Sequence, residues 1–196
     1  GLGPEVDYMA LRRREDAAAM LALGSEALWL DLPEAPHRGY GSAPALFGPV
    51  RDDDPADLAA AHAAGAAIRT LRPALLLAPQ AVGGHVDHIQ LVRALAALEP
   101  GLPCLWWRDA PYAARDEAPA EPFGAWMAAL PQIAVPLDVD AARRKREACR
   151  AYASQLGFQF GGPAGLDARL AADGGTERLR LAGPLPDPAA AIMDNI

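Results

Sequence analysis

The sequence predicts an α/β fold built around a largely parallel sheet. Short apolar runs alternate along the chain with longer segments whose apolar residues recur at helical spacing. The run at residues 73–79 is apolar throughout and bounded by prolines, which is typical of a strand buried on both faces of a parallel sheet. Residues 102–107 predict another strand. We therefore expect strand–helix–strand units with their helices packed against one sheet.

The remaining elements follow from capping residues and periodicity. Residues 8–23 predict a helix that ends at Gly24, while Asp54 and Pro55 provide the cap and first turn of a second helix. A third helix is expected to follow His88, and a fourth is expected at residues 138–156. Further strands are predicted at residues 27–33, 132–137 and 177–182.

Composition narrows the class of protein. The chain has 196 residues, a net charge of -7 and 52% hydrophobic residues, which suits a single domain at residues 1–182 with a peripheral tail at residues 183–196. No basic region is large enough to predict nucleic-acid binding. No apolar run approaches the roughly 18 residues of a membrane span, and no signal peptide is visible, so we expect a cytoplasmic protein without a membrane partner. Cys104 and Cys149 form no C-x-x-C pair, which argues against a disulfide framework.

One loop carries the residues best suited to chemistry. In open α/β sheets ligands bind beyond the carboxyl ends of the strands, which selects the loops at residues 34–41, 80–88 and 108–114. The second contains G-G-H-V-D-H at residues 83–88. Its glycines allow a sharp turn beside a ligand, His85 and His88 offer imidazoles suited to zinc, and Asp87 can orient an imidazole. Two histidines fall short of the three protein ligands of a catalytic zinc. The alternative is a helix start with an aspartate cap and two polar histidines.

The other two loops supply candidates for substrate binding. Arg38 is predicted to bind a substrate hydroxyl or carboxylate, with a solvated loop arginine as the alternative. Tyr112 is predicted to line the pocket, with a packed loop tyrosine as the alternative. His37 as a replacement metal ligand is a minor hypothesis. The acidic run at residues 52–54 is better explained as a polar loop ending in a helix cap than as a metal cluster.

Six ordered segments point to a known family. They are R-R-R-E-D-A-A-A-M-L-A-L-G (12–24), L-D-L-P (30–33), G-G-H-V-D-H (83–88), D-A-P-Y (109–112), K-R-E-A-C-R-A-Y-A-S-Q (145–155) and T-E-R-L (176–179). In their order and approximate spacing they resemble the PIG-L (LmbE-like) zinc-dependent N-deacetylases, most closely a bacterial branch. The resemblance covers nearly the whole chain, although no single segment is decisive.

The resemblance implies a fold and a set of roles. The fold would be a Rossmann-like three-layer sandwich. Zn²⁺ would be held by a histidine and an aspartate of an N-terminal H-x-D-D motif together with His88. His85 would stabilise the oxyanion as a protonated partner, and Asp87 would hold its ring and favour the imidazolium. The general base would be the first aspartate of H-x-D-D.

The sequence as given contains no H-x-D-D motif, and we expect that it lacks the N-terminal strand that carries this motif. Three explanations compete. The natural protein has this segment and the sequence as given lacks it, or the protein is a degenerate relative without catalysis, or the segment arrives on another chain. We favour the first because the remaining motifs are intact and the sheet would otherwise lose a central strand.

The resulting hypothesis is a zinc-dependent hydrolase that uses metal-activated water to remove an N-acetyl group from an amino sugar or related small compound. The alternative is a non-catalytic binding or scaffold domain of the same fold. A nucleotide-dependent sugar transferase is disfavoured because G-x-G-x-x-G and P-loop patterns are missing. The expected partner is a small N-acetylated molecule. A homo-oligomer is one option for the assembly, since no sustained heptad seam decides the oligomeric state.

Overall fold

The structure is a computed structural model that describes residues 7–98, 102–110, 112 and 118–185. These residues form eight α-helices and four strands. In chain order they are α1 Tyr8–Leu23, a 3-10 helix Ala35–Arg38, α2 Ala43–Leu46, α3 Ala56–Leu71, β1 Leu76–Pro79, α4 Val86–Ala96, β2 Cys104–Trp107, α5 Gly124–Ala129, β3 Gln132–Pro136, α6 Val139–Ala151, α7 Ala153–Phe160, α8 Pro163–Ala172 and β4 Thr176–Ala182.

The chain divides into two compact units, and the first is helical. It comprises Gly1–Trp29 and Pro136–Thr176, and it contains α1, α6, α7 and α8. Asp7 caps α1 by accepting the Ala10 N–H at 2.9 Å, and Gly24 ends α1 in the left-handed conformation that a C-terminal glycine favours. The predicted helix and its stop are therefore confirmed. Helix α1 packs against α6, and α8 packs against both α6 and α7.

The second unit holds the sheet. It comprises Leu30–Val135 and Glu177–Ile196. The strand order is β1-β2-β4-β3; β1 runs parallel to β2, and β2 runs antiparallel to β4 with Trp107 opposite Leu179. Helices α3 and α4 pack together, and α4 packs on β1. The core contains Ala78, Val92, Trp106 and Met127, because the apolar residues of β1 and β2 meet the inner faces of α4 and α5.

The sheet departs from the sequence-based expectation. A parallel arrangement is confirmed for β1 and β2, but the antiparallel pairing of β2 with β4 makes the sheet mixed. The local sequence of a strand carries no information on its direction, so residues 177–182 could not reveal the antiparallel course of β4. Strands β1, β2 and β3 lie where apolar runs predicted strands, and β4 lies where a final strand was expected at residues 177–182.

The strand expected at residues 27–33 was wrong. These residues adopt no strand, and Leu28, Trp29 and Leu30 are 64%, 42% and 37% exposed. The Trp29 indole donates to Asp16 at 3.1 Å, and the backbone hydrogen bond of this segment is the local one from Leu32 N–H to the Leu30 carbonyl. A strand needs a neighbour for its backbone groups, and apolar composition alone does not supply one.

The helix expected at residues 138–156 is divided at Tyr152 into α6 and α7. Helix α8 was not predicted, although Gly162 and Pro163 carry the sequence signal of a helix start. The domain boundary at residue 182 stays a prediction, and residues 186–196 of the predicted tail lie outside the described residues. In the described part of the chain, no helix combines the length and apolar character needed to cross a bilayer.

Candidate functional site

The glycine loop, residues 80–85, joins the carboxyl end of β1 to the start of α4. Its backbone passes through left-handed conformations at Ala81 (φ 60°), Gly83 (φ 93°) and Gly84 (φ 74°). Glycine adopts this region without the steric cost that a side chain brings. The Gly83 N–H donates to the Ala120 carbonyl at 2.8 Å, which ties the loop to the segment before α5. The sharp turn expected of G-G-H-V-D-H is therefore confirmed.

Tyr112 explains why a glycine stands at position 83. A Cβ on Gly83 would lie 2.6 Å from both Cβ and Cγ of Tyr112, well inside the normal carbon–carbon contact distance. Tyr112 is 8% exposed, and its ring lies edge-on to Phe47 and His88, with centroids 5.4 and 6.2 Å apart. The structure thus places this predicted residue beside His88 as a packed side chain. Phe47, which also meets the His85 ring at 5.3 Å, was not identified from the sequence.

His85 caps helix α4. Its Nδ1 accepts the Asp87 N–H at 3.2 Å, which satisfies one of the unpaired donors at the helix start. The helix begins at once, so His85 and His88 lie within its first turn and their ring centroids are 5.4 Å apart. The expected helix start and the expected pair of neighbouring imidazoles are both present, and the cap is a histidine rather than an aspartate.

His88 is held by a buried carboxylate that the sequence analysis missed. His88 Nδ1 lies 2.5 Å from Asp109 Oδ1, while Asp109 Oδ2 accepts the Val82 N–H at 2.9 Å. Asp109 is 1% exposed, whereas the His88 side chain is 35% exposed. A carboxylate on Nδ1 keeps the proton on that nitrogen and leaves the Nε2 lone pair for a ligand. Asp109 is the second residue after β2, so the rule that selected the loop at residues 108–114 included it without identifying its partner.

Asp87 serves a different residue from the one expected. Its carboxylate lies 3.9 Å from His85 Nδ1, beyond hydrogen-bond distance. It instead accepts the Arg38 Nη2 donor at 2.8 Å and the Ala35 N–H at 3.2 Å. The His85 ring was expected to bond to the Asp87 carboxylate. It instead accepts a hydrogen bond from the Asp87 backbone N–H. The carboxylate fixes the loop after residue 33 to the start of α4.

Arg38 lies at the centre of that attachment. All three of its guanidinium nitrogens donate hydrogen bonds: Nε to Asp54, Nη1 to the Pro33 carbonyl at 2.6 Å, and Nη2 to Asp87 and to Gln90 at 2.7 Å. The side chain is 12% exposed. These contacts contradict the solvated alternative, while the substrate-binding role of Arg38 stays a prediction. A nearly buried guanidinium with several intramolecular acceptors is a structural ion-pair centre.

Arg38 and its acidic partners stabilise one another in their charged forms. Burial lowers the pKa of Arg38, but hydrogen bonds and charge interactions with Asp54 and Asp87 raise it above its usual value overall. Burial raises the pKa of Asp54, but hydrogen bonds from Arg38, Tyr40 and Gln90 lower it overall. The Tyr40 hydroxyl donates to Asp54 at 2.9 Å. Asp54 also accepts the Ala56 N–H at 3.2 Å, which confirms its predicted part in starting α3.

The surroundings of His85 favour its neutral ring over the imidazolium that the resemblance implies. Burial lowers its pKa, and the charges of His88 and Arg38 lower it further against the opposing effect of Asp87. Because Nδ1 accepts the Asp87 N–H, the ring proton of the neutral form lies on Nε2. His85 is therefore arranged to donate a hydrogen bond from Nε2 as a neutral ring.

A complete metal site is not formed by the residues that the structure describes, since no group of three or more His, Cys, Asp or Glu side chains could hold an ion there. His88 has the arrangement of one ligand, with its Nδ1 held by Asp109. His37 is exposed in the 3-10 helix, and Asp53 pairs with Arg51 at 2.6 Å. Neither side chain joins His88 in a metal-binding group. The site brings His85, His88 and Tyr112 together and assigns Asp87 and Arg38 to holding the loops.

Comparison with known proteins gives a consistent picture. No protein-family model matches the chain. It is 37% identical over 111 residues to the 2'-N-acetylparomamine deacetylase of Streptomyces fradiae, a match that spans 55% of this chain and only 39% of that protein. It superposes on the crystal structure of the A40926 pseudoaglycone deacetylase Dbv21 with a TM-score of 0.69 and 30% identity, covering 93% of this chain and 74% of the other. A deacetylase–bog complex from the teicoplanin biosynthesis pathway gives a TM-score of 0.65 and 25% identity, covering 93% and 76%.

Proposed function

Because the chain belongs to the deacetylase family that includes the A40926 pseudoaglycone deacetylase, we propose that it is an amide hydrolase that removes an N-acetyl group from an amino sugar or a related small compound. One relative is a 2'-N-acetylparomamine deacetylase and another is an A40926 pseudoaglycone deacetylase, and the proposal carries deacetylation from them to this chain. The observation that carries it within the structure is the pair His88–Asp109 at the carboxyl end of the sheet.

The proposal includes a divalent metal, for which Zn²⁺ is the candidate. The fit rests on the donor chemistry of His88, whose Nδ1 is fixed by a buried aspartate and whose Nε2 faces no hydrogen-bond partner among the described residues. This is the arrangement in which histidine binds zinc. The described residues provide one such ligand, so the remaining ligands and the general base are proposed to come from the H-x-D-D motif that the family resemblance implies. When bound, the metal lowers the pKa of water and polarises the amide carbonyl.

The residues of this chain then act around the reacting amide. His88 provides a fixed imidazole, and Asp109 sets its tautomer and orientation. His85 donates a hydrogen bond from Nε2 to the carbonyl oxygen as negative charge develops there. Tyr112 packs edge-on against the His88 ring and Phe47 against the His85 ring. The Arg38–Asp87 pair holds the loop and the helix start that carry these groups.

The finer assignments extend the same proposal. The ordered motifs support membership of the PIG-L family and its Rossmann-like three-layer sandwich, and composition supports a cytoplasmic protein whose partner is a small N-acetylated molecule. One domain at residues 1–182 and a homo-oligomeric assembly stay predictions. The competing proposal is a binding or scaffold domain that retains the fold without catalysis.

Acetate release tests the proposal. The natural full-length protein is incubated with N-acetylated aminoglycoside and glycopeptide precursors, and free acetate and the new amine are measured. We expect turnover that stops on chelation, returns with Zn²⁺, and is lost in His88→Ala. His62→Ala is the matched control, since His62 is an exposed residue of α3. A folded wild-type protein that releases no acetate from any of these substrates with metal supplied would favour the scaffold.

A further inference from the structure

A second feature lies at the same edge of the sheet as the glycine loop. A cavity of about 110 Å³ is lined by polar and charged side chains, of which the argument uses Gln80, Arg108, Glu121, Arg178 and Arg180. We call it the arginine pocket. Its volume is well below the about 300 Å³ at which pockets for drug-sized ligands begin, so it can admit a small ion or a single functional group.

The strand register brings these arginines together. Gln80 follows β1 and Arg108 follows β2, which places both at the carboxyl ends of parallel strands. Strand β4 runs antiparallel to β2 with Leu179 opposite Trp107, so Arg178 extends beyond the same edge. The pocket is therefore built by three neighbouring strands at the edge where α/β sheets bind ligands.

The charges in the pocket do not balance. Arg108 pairs with Glu121 at 2.7 Å, and Arg180 donates to the Leu130 carbonyl at 3.1 Å. Arg178 is exposed, and no described residue forms an ion pair with it. Among the described residues that line this small cavity there are thus three guanidinium groups and one carboxylate, in a chain whose net charge is -7. Such a local excess of positive charge attracts anions.

We propose that the arginine pocket binds a small oxyanion group, a carboxylate or a phosphate. The planar guanidinium pairs with both groups through two parallel hydrogen bonds, which a cavity with three arginines can provide from more than one side. The proposal stands on the pocket alone and would survive failure of the deacetylase proposal.

The pocket is connected to the glycine loop through one short segment. Ala120 accepts the Gly83 N–H, and the next residue is Glu121 of the pocket. On the other side, Arg108 immediately precedes Asp109, which binds His88. An anionic ligand group in the arginine pocket would therefore contact the segment that follows β2 and the segment before α5, and both of these segments also support the candidate site.

Calorimetric titration at constant ionic strength tests the proposal, with inorganic phosphate and sodium acetate as separate probes. We expect saturable binding of one or both; phosphate alone indicates a phosphate group, and acetate alone or both indicates the wider carboxylate class. Arg178→Gln should weaken binding by about tenfold because it removes a charge-assisted contact. Glu121→Gln should strengthen it severalfold because it removes the competing carboxylate from Arg108.

Arg93→Gln is the matched control, since it removes the same charge from an exposed position on α4 that does not line the pocket. It should leave binding unchanged. Equal weakening by Arg93→Gln and Arg178→Gln, or no saturable binding of either probe to the folded wild-type protein, would overturn the proposal. Thermal unfolding of each variant confirms that a loss of binding is not a loss of fold.

Discussion

The Nδ1 atom of His88 lies 2.5 Å from the buried Oδ1 atom of Asp109. The two residues are far apart in the sequence and are brought together because the chain leaves β1 and β2, two parallel neighbours, at the same edge of the sheet. Asp109 also accepts the Val82 N–H from the glycine loop. One carboxylate therefore fixes both the histidine and the loop that precedes it.

Asp109→Asn should change the tautomer of His88. The asparagine oxygen can still accept the Val82 N–H, which turns its NH₂ group toward His88 Nδ1 and moves the ring proton to Nε2. The ¹⁵N shifts of the His88 ring in the metal-free protein report this change directly. We expect zinc affinity of the full-length protein to fall by about 10–100-fold, the usual effect of losing such a partner. Unchanged shifts and affinity would show that Asp109 is only structural.

Gly83→Ala should destabilise the protein more than Gly84→Ala. Both residues have positive φ, so each alanine pays about 1–2 kcal/mol for the left-handed conformation. Only the Cβ at position 83 also meets Tyr112 at 2.6 Å; the Cβ at position 84 meets Ala120 at an ordinary 3.4 Å. We therefore expect Gly83→Ala to lower the free energy of unfolding, measured in urea, by about 1–3 kcal/mol more than Gly84→Ala does. Equal losses in the two variants would contradict the close contact with Tyr112.

The substitution Arg38→Ala should lower the free energy of unfolding by about 3–5 kcal/mol, because it leaves the buried Asp54 carboxylate without its charged partner. Arg38→Lys should recover part of this loss, since an ammonium retains the charge but cannot bind several acceptors in a plane. Thermal unfolding without substrate is the measurement. A variant with unchanged stability and a raised KM would instead support the substrate-binding role that the sequence suggested.

Glu15 should contribute stability that depends on pH. Burial raises its pKa, but hydrogen bonds from Ser154 and Arg12 outweigh burial and hold the pKa below its ordinary value of 4.5. Folding therefore favours the ionised form, so this stability is complete above the unfolded pKa and is lost as the pH falls through the folded one. At pH 7, Glu15→Gln should lower the free energy of unfolding by about 1–3 kcal/mol.

The wild-type and Glu15→Gln proteins should become similar in stability as the pH falls below 4.5, which urea unfolding across pH 3–7 can measure. Asp16→Asn serves as a control for loss of a neighbouring negative charge, because Asp16 instead accepts a hydrogen bond from Trp29. A stability difference between wild type and Glu15→Gln that stays constant over this pH range would contradict the lowered pKa.

The parts that local sequence signals control were predictable. The glycine stop ended α1, and apolar runs located β1, β2 and β3, because each signal lies in or beside the element it describes. Residues 27–33 show the limit of this reasoning: their apolar character predicted a buried strand, but burial depends on a neighbour that local composition does not identify. The helix break at Tyr152 and the direction of β4 depend on tertiary packing in the same way.

In the candidate site too, the residues that are neighbours in the chain were predictable and the long-range contacts were not. G-G-H-V-D-H identified the turn and the two histidines because these are consecutive in the chain. Asp109 was missed because its role depends on parallel strand neighbours. The ion pairs of Arg38 were missed because its partners Asp87 and Gln90 are about fifty positions away, and its substrate-binding role stays a prediction. Long-range ion pairs of this kind have no local sequence signature, since their geometry is created by the fold.

The metal content of the full-length protein tests the central claim most directly. Elemental analysis of the purified wild type, His88→Ala and the control His62→Ala, each after dialysis against limiting Zn²⁺, gives the metal bound per chain. The proposal predicts about one zinc per chain in the wild type and in His62→Ala, and a large loss in His88→Ala, since a catalytic zinc uses three protein ligands. Equal zinc in His88→Ala and wild type, or none in any folded form, would contradict the role assigned to His88.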